Sequence, residues 1–198
     1  MARVLDLEAR SWKLPFKSKS AKPRPFLNEA SLYDYAVKAL GRRMRTESEL
    51  RRLMQSRVEP GARGDAVVST AVARLKEQRY LDDQSFAETY ARLRQQNEKL
   101  GARRVRQSLS QKGVSAKIAN EAIEARYSDT NEEALARQHL ERKRIRKPEN
   151  EKETARVMRR LVAAGFSTGV IYEILRKWDV PDESLAALDN LSDEPIED

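Results

Sequence analysis

Arginine supplies most of the chemistry that this sequence offers. Arg51 and Arg52 form one group; Arg103, Arg104 and Arg106, with Lys112 lower down, form a second; Arg156, Arg159 and Arg160 form a third. A fourth is the run Arg142, Lys143, Arg144, Arg146 and Lys147. A guanidinium fork grips phosphate or carboxylate oxygens two at a time, so such groups hold anionic partners rather than make or break bonds. The partner is a nucleic-acid backbone or an acidic protein groove, and the residue types alone do not separate the two. The expected contact residues are Arg51, Arg52, Arg103, Arg104, Arg106, Lys112, Arg142, Lys143, Arg144, Arg156, Arg159 and Arg160.

Other chemistry finds little support. Asp82 and Asp83 are adjacent carboxylates, but a Mg²⁺ site needs further oxygen ligands, and none recurs nearby. Capping the helix that starts at Gln84 explains the pair with less machinery. His139 follows Leu135 by one helical turn, as Tyr90 follows Phe86, and reads as a packing residue. The chain has no cysteine and one histidine, which argues against thiolate and imidazole metal sites. Its seven glycines form no G-x-x-x-x-G-K phosphate loop, and no nucleophile motif is present. The expectation is a protein without catalytic function, cofactor or metal. Tyr33, Tyr35, Tyr80, Phe86, Tyr90, Phe166, Tyr172 and Trp178 fall mostly on apolar stripes and read as core, not as base-stacking platforms.

The elements that carry the arginines repeat. Leu50-x-x-x-Met54, Val105-x-x-x-Leu109 and Val157-x-x-x-Leu161 are spaced by 55 and 52 residues. Each is followed by a second apolar stripe: Val68, Ala71, Val72, Leu75; Ile118, Ala119, Ala122, Ile123; Val170, Ile171, Ile174, Leu175. Helical spacing inside a period slightly above fifty predicts a tandem helical unit. A helix of Leu32, Tyr35, Ala36, Ala39 and Leu40 opens the first unit, with signal from Ser31. Capping boxes are predicted at Thr46-x-x-Glu49 and Thr130-x-x-Glu133, and caps at Ser115 and Ser167. Pro60, Gly61 and Gly64 read as a turn before a helix from Val67 to Gln78, Gly101 as a break, and Gly113 and Gly165 as left-handed stops. The prediction is all-α: three tandem three-helix repeats forming an elongated, curved body. The divisions are 1–29, a mobile basic arm; 30–80, 81–128 and 129–179, the three units; and 180–198, an acidic tail. Leu185, Leu188 and Leu191 allow a weak extra turn in the tail.

Leu, Ile, Val and Phe number 42 of 198 residues, enough only for thin cores shared among small units. Net charge is +8 overall, but residues 1–30 carry +4, residues 179–198 carry −8, and the middle +12. A basic body with an acidic end suits work on or beside nucleic acid. The tail reads as a solvated end; folding back to screen the basic face is the sharper alternative. No apolar run reaches membrane-spanning length and the N-terminus has no secretory apolar core, so a cytoplasmic protein is expected.

These motifs resemble a known family. Tyr80-Leu81-Asp82-Asp83-x-x-Phe86-Ala87, followed by Gly101-Ala102-Arg103-Arg104-Val105-Arg106-x-x-Leu109-x-x-Lys112-Gly113-Val114, resembles the central signature of RecX, the regulator of the RecA recombinase. Glu49-Leu50-Arg51-Arg52 is similar to its N-terminal motif, and Leu161 with Gly165-Phe166-Ser167 to its C-terminal one. The first thirty residues and the loop Glu59–Asp65 depart from the pattern. The resemblance implies a modulator, usually an inhibitor, that lodges in the groove of the RecA–DNA filament and suppresses ATP hydrolysis, strand exchange and repressor cleavage. The partners expected are the RecA filament and, more weakly and without sequence preference, single- or double-stranded DNA, with the protein a monomer. A stand-alone DNA-binding protein of helix-turn-helix type is the alternative reading of the basic three-helix units.

Overall fold

Six of the nine described helices start where a side chain replaces a missing backbone partner. The computed structural model describes residues 25–180; most of the predicted arm and nearly all of the acidic tail therefore lie outside the described residues. Among them are nine α-helices: α1 (Glu29–Arg42), α2 (Glu47–Gln55), α3 (Ala62–Glu77), α4 (Asp83–Leu93), α5 (Ala102–Gln111), α6 (Ala116–Tyr127), α7 (Glu132–Arg142), α8 (Glu151–Ala163) and α9 (Thr168–Lys177). Thr46 caps α2 by accepting from Glu49 N, Asp82 caps α4 through Gln84 N and Ser85 N, and Ser115 caps α6 through Ile118 N. Asn28, Asn131 and Asn150 do the same for α1, α7 and α8.

Four local expectations are corrected. The cap of α7 is Asn131, not Thr130, whose hydroxyl instead donates to Arg126 O (3.2 Å) at the end of α6. Ser167 occupies the cap position of α9 but donates its hydroxyl to Glu132 Oε2 (2.8 Å), while the same carboxylate accepts from Ser167 N (2.7 Å). Helix α3 begins at Ala62, so Gly64 lies within it, buried where a Cβ would run into the Glu59 carbonyl. Leu27, assigned to the arm, donates its N–H to Arg57 O (2.8 Å) and packs on the first core. A further feature left no periodic signal: α4 runs into a π-helical turn, Arg94–Glu98.

The helices share three apolar clusters. Leu32, Leu50, Met54, Val68 and Leu75 centre the first, formed by α1–α3. Phe86, Val105, Leu109 and Ile123 centre the second, formed by α4–α6. Leu140, Val157, Leu161, Phe166 and Ile174 centre the third, formed by α7–α9. Burying one such Leu or Phe side chain stabilises by about 1.5–3 kcal/mol, so each cluster rests on few residues.

Two joints connect the units, and both use the second helix of each. Thr46, the cap of α2, donates its hydroxyl to Lys112 O (2.6 Å), the last turn of α5. Gly101, the cap of α5, donates its N–H to Ala164 O (2.9 Å), the last turn of α8. The start of one second helix thus meets the end of the next, which sets the positive end of one helix dipole beside the negative end of the other. Gly113 (φ 79°) and Gly165 (φ 90°) stop α5 and α8 at these contacts. A Cβ on Gly113 would strike Ser48, and one on Gly165 would press on the backbone of Arg104. Elsewhere the left-handed position carries a side chain: Arg79 (φ 59°) after α3, Lys99 (φ 53°) after the π-helical turn, Arg144 (φ 53°) after α7 and Asp179 (φ 54°) after α9. Each costs about 1 kcal/mol or more relative to a relaxed backbone.

The joints differ in chemistry. At the second, Leu100 packs on both neighbouring cores, Tyr127 Oη donates to Leu100 O (2.9 Å), and Gln95 Nε2 donates to Thr130 Oγ1 (2.9 Å). The first is polar: Glu47 N donates to Asp83 Oδ1 (2.8 Å), and Lys112 Nζ pairs with Glu49 Oε1 (2.8 Å).

Candidate anion-binding face

The helices that form the joints also carry the arginines. Apolar residues of α2, α5 and α8 face their cores, and the intervening positions project outward. Arg52 on α2, Arg103, Arg104 and Arg106 on α5, and Arg156, Arg159 and Arg160 on α8 are all exposed. Only Arg104 among them is recorded bonding to a described side chain, Gln107 Oε1 at 3.0 Å. The second joint sets the backbone of Arg104 against Gly165, just past the last turn of α8, which carries Arg160. Arg142, Lys143 and Arg144 stand off this row, exposed at the C-terminal end of α7.

Two of the expected contact residues are engaged inside the protein. Arg51 is half-buried and pairs through Nε with Glu47 Oε1 (2.8 Å), one turn earlier. Lys112 is half-buried, paired with Glu49 across the first joint, and its ammonium lies over the rings of Tyr90 (5.6 Å) and Phe86 (6.0 Å). Lys112 ties the second unit to the first, whereas Arg51 bonds within the first unit, to Glu47 and to Ser69.

The carboxylates near this face are structural. Asp82 is held below the usual aspartate range, chiefly by the N–H and hydroxyl of Ser85. Asp83 is pushed up, because burial penalises its charge more than the Glu47 N–H relieves it. Glu47 is held low mainly by Lys76, whose ammonium sits 2.9 Å from Oε2, helped by Arg51. His139 is buried edge-on to Phe166, with Nδ1 3.1 Å from Glu98 O; burial, with Lys143 and Arg142 nearby, lowers its pKa. The Nδ1–H tautomer donates to that carbonyl, a packing role across the second joint. Among the described residues no group of three or more His, Cys, Asp or Glu side chains could hold a metal ion, and no helix is long and apolar enough to cross a membrane.

Sequence reasoning missed Arg79 and Lys76, which line the first joint. Nothing local marks them: Lys76 follows Leu75 on an ordinary solvent-facing position, and Arg79 holds a stop that a glycine would signal.

The fold and face define a helical protein that presents a basic surface on successive three-helix groups. Comparisons place it more closely. The family model described as RecX, second three-helix domain, matches residues 82–123. The regulatory protein RecX of Mycolicibacterium vanbaalenii is 31% identical over 146 residues, covering 70% of this chain and 77% of the relative. That of Oceanobacillus iheyensis is 26% identical over 155 residues, covering 77% of this chain and 55% of the relative. The crystal structure of RecX from Lactobacillus salivarius superposes with a TM-score of 0.59 at 22% identity, covering 76% of this chain and 96% of that one. The chain belongs to the RecX family of regulatory proteins. It spans about half the length of several of the relatives it matches.

Proposed function

We propose that this protein regulates RecA by binding the groove of the RecA–DNA filament, and that it acts as an inhibitor of ATP hydrolysis, strand exchange and the co-protease activity. The observation that carries the reading is the row of second helices. Capped end against end, α2, α5 and α8 each display free guanidinium groups, and a partner built of repeating subunits presents repeating acceptors. On this reading the units form an elongated, curved body along the groove. Spaced contacts, weak singly, gain from effective concentration once the first is made. Preferential binding to one filament state then shifts assembly or activity. Arg52, Arg103, Arg104, Arg106, Arg156, Arg159 and Arg160 make the main contacts, with Arg142, Lys143 and Arg144 as a separate patch. Lys112 acts mainly by holding the first unit to the second, and Arg51 by bracing the first unit internally. No catalytic step is assigned to the protein, and its own affinity for DNA is weak and non-specific.

The test is the ATPase of the cognate RecA on single-stranded DNA with increasing regulator. Inhibition is expected from the unaltered chain. It should fall at least tenfold in potency for the triple variant Arg103→Ala, Arg104→Ala, Arg106→Ala, with helicity unchanged, since all three side chains are exposed. Unaltered inhibition by the triple variant removes α5 from the contact face. Tight duplex binding without RecA, with a steep salt slope, would instead favour a stand-alone DNA-binding protein.

A further inference from the structure

The first joint leaves an open cleft of about 850 Å³ between the first and second units, bounded by α2, the end of α3 and the starts of α4 and α6. Two cations on its wall, Arg52 and Arg79, are exposed and make no ion pair among the described residues. Lys76 and Arg51 also line it, but Glu47 engages both. The apolar part of the lining is Leu81, buried, and Ile118, half-buried.

Arg79 is the informative residue. Its backbone is left-handed (φ 59°), a conformation that glycine adopts without strain. This chain does place glycine at equivalent helix stops, Gly113 and Gly165, where a neighbouring backbone or side chain leaves no room. At the stop of α3 a side chain takes the left-handed position, as Lys99, Arg144 and Asp179 do elsewhere, and here it places on the cleft wall a guanidinium that forms no ion pair among the described residues and acts internally only as one of several influences that hold Asp82 low.

The ligand class follows from the remaining lining. Glu47, Asp82 and Asp83 stand among the cations. A phosphate backbone, charged at every step, would meet all three carboxylates. A peptide that alternates acidic with apolar side chains can set its carboxylates on Arg52 and Arg79 and an apolar group on the half-buried Ile118, beside the buried Leu81. We infer that the cleft between the first and second units is a docking site for an acidic–apolar peptide segment of a protein partner, read by Arg52 and Arg79. The inference does not depend on which protein supplies the segment, and its test contains no recombinase, so its failure would leave the filament reading standing.

The probe is a fluorescein-labelled peptide of repeating Glu-Leu pairs, titrated with the full chain and followed by anisotropy, beside a Gln-Leu peptide and an oligothymidylate. The Glu-Leu peptide should bind, the Gln-Leu peptide should not, and the double variant Arg52→Gln, Arg79→Gln should lose about tenfold in affinity, as expected for charge-assisted pairs. Arg79→Gly should melt at a higher temperature yet bind the peptide several-fold more weakly, a combination that a structural role for Arg79 does not give. Absence of peptide binding to the unaltered chain, or equal binding by the double variant, overturns the inference. So does an oligothymidylate that binds more tightly than the peptide and depends on the same two arginines.

Discussion

Asp82 and Asp83 are neighbours in sequence with opposite electrostatics. Asp82 stays exposed and accepts two N–H groups at the start of α4, which favours its anion. Its folded pKa is depressed, so its contribution is present above the ordinary aspartate range and is lost as pH falls through the folded value. Asp82→Ala should cost about 1 kcal/mol at neutral pH, the usual value for a lost cap, and Asp82→Asn should keep most of it. Asp83 behaves in reverse: partial burial raises its folded pKa, so stability declines as pH rises from the ordinary aspartate range through the folded value. Asp83→Asn keeps an oxygen for the Glu47 N–H and removes the charge. Urea titrations should therefore find it more stable than the unaltered chain at neutral pH, with the difference closing below the ordinary aspartate range. A destabilised Asp83→Asn at neutral pH would show that its anion is needed at the joint.

At the level of elements, two glycines four residues apart separate joint geometry from helix propensity. Gly165 stops α8 in a left-handed conformation, with Arg104 of α5 against it. Gly165→Ala should therefore destabilise by roughly 2 kcal/mol or more, from the left-handed backbone and the lost contact together. Gly169 lies in the first turn of α9, and a Cβ there meets nothing within 4 Å. Gly169→Ala should be neutral or stabilise by up to about 1 kcal/mol. Thermal melts of the two variants decide the matter, and equal effects would refute the joint. Leu109, fully buried in the second core, gives the scale for comparison: Leu109→Ala should cost about 2–5 kcal/mol.

For the whole molecule, the unlike joints predict unlike responses to salt. The first joint relies on polar contacts beside an open cleft, among them the partly exposed Lys112–Glu49 ion pair, worth about 1 kcal/mol or less and screened by ions, and the Glu47 N–H held by the Asp83 carboxylate. The second relies on Leu100 packed on both cores and on the Gly101–Ala164 backbone hydrogen bond. Hydrogen exchange in rising salt should therefore accelerate at Glu47, whose amide is held by Asp83, before it does at Gly101. Earlier loss at Gly101 would make the second joint the salt-sensitive one and overturn this assignment. Mobility of the first unit against the other two would let one basic row fit filament states of different pitch, in keeping with the proposed function.

Periodicity made the helices legible. Apolar residues at helical spacing, repeated after 55 and 52 residues, mark the second helices around Leu50, Val105 and Val157, and these lie in α2, α5 and α8. Short-range rules also found the caps at Thr46, Asp82 and Ser115 and the stops at Gly113 and Gly165, because each depends on bonds within one helical turn. Local rules failed where the decisive partner is distant in sequence. Ser167 turns to Glu132, thirty-five residues away, and Lys112 turns to Glu49, sixty-three residues away. The π-helical turn at Arg94–Glu98 left no mark either; within it Gln95 reaches across to Thr130. Arginine composition pointed to an anionic partner, but only folding sorted guanidinium groups exposed on the helix row from those spent on internal carboxylates. That sorting is tertiary for a physical reason: a charge is available to a partner only if no nearby chain segment has already neutralised it.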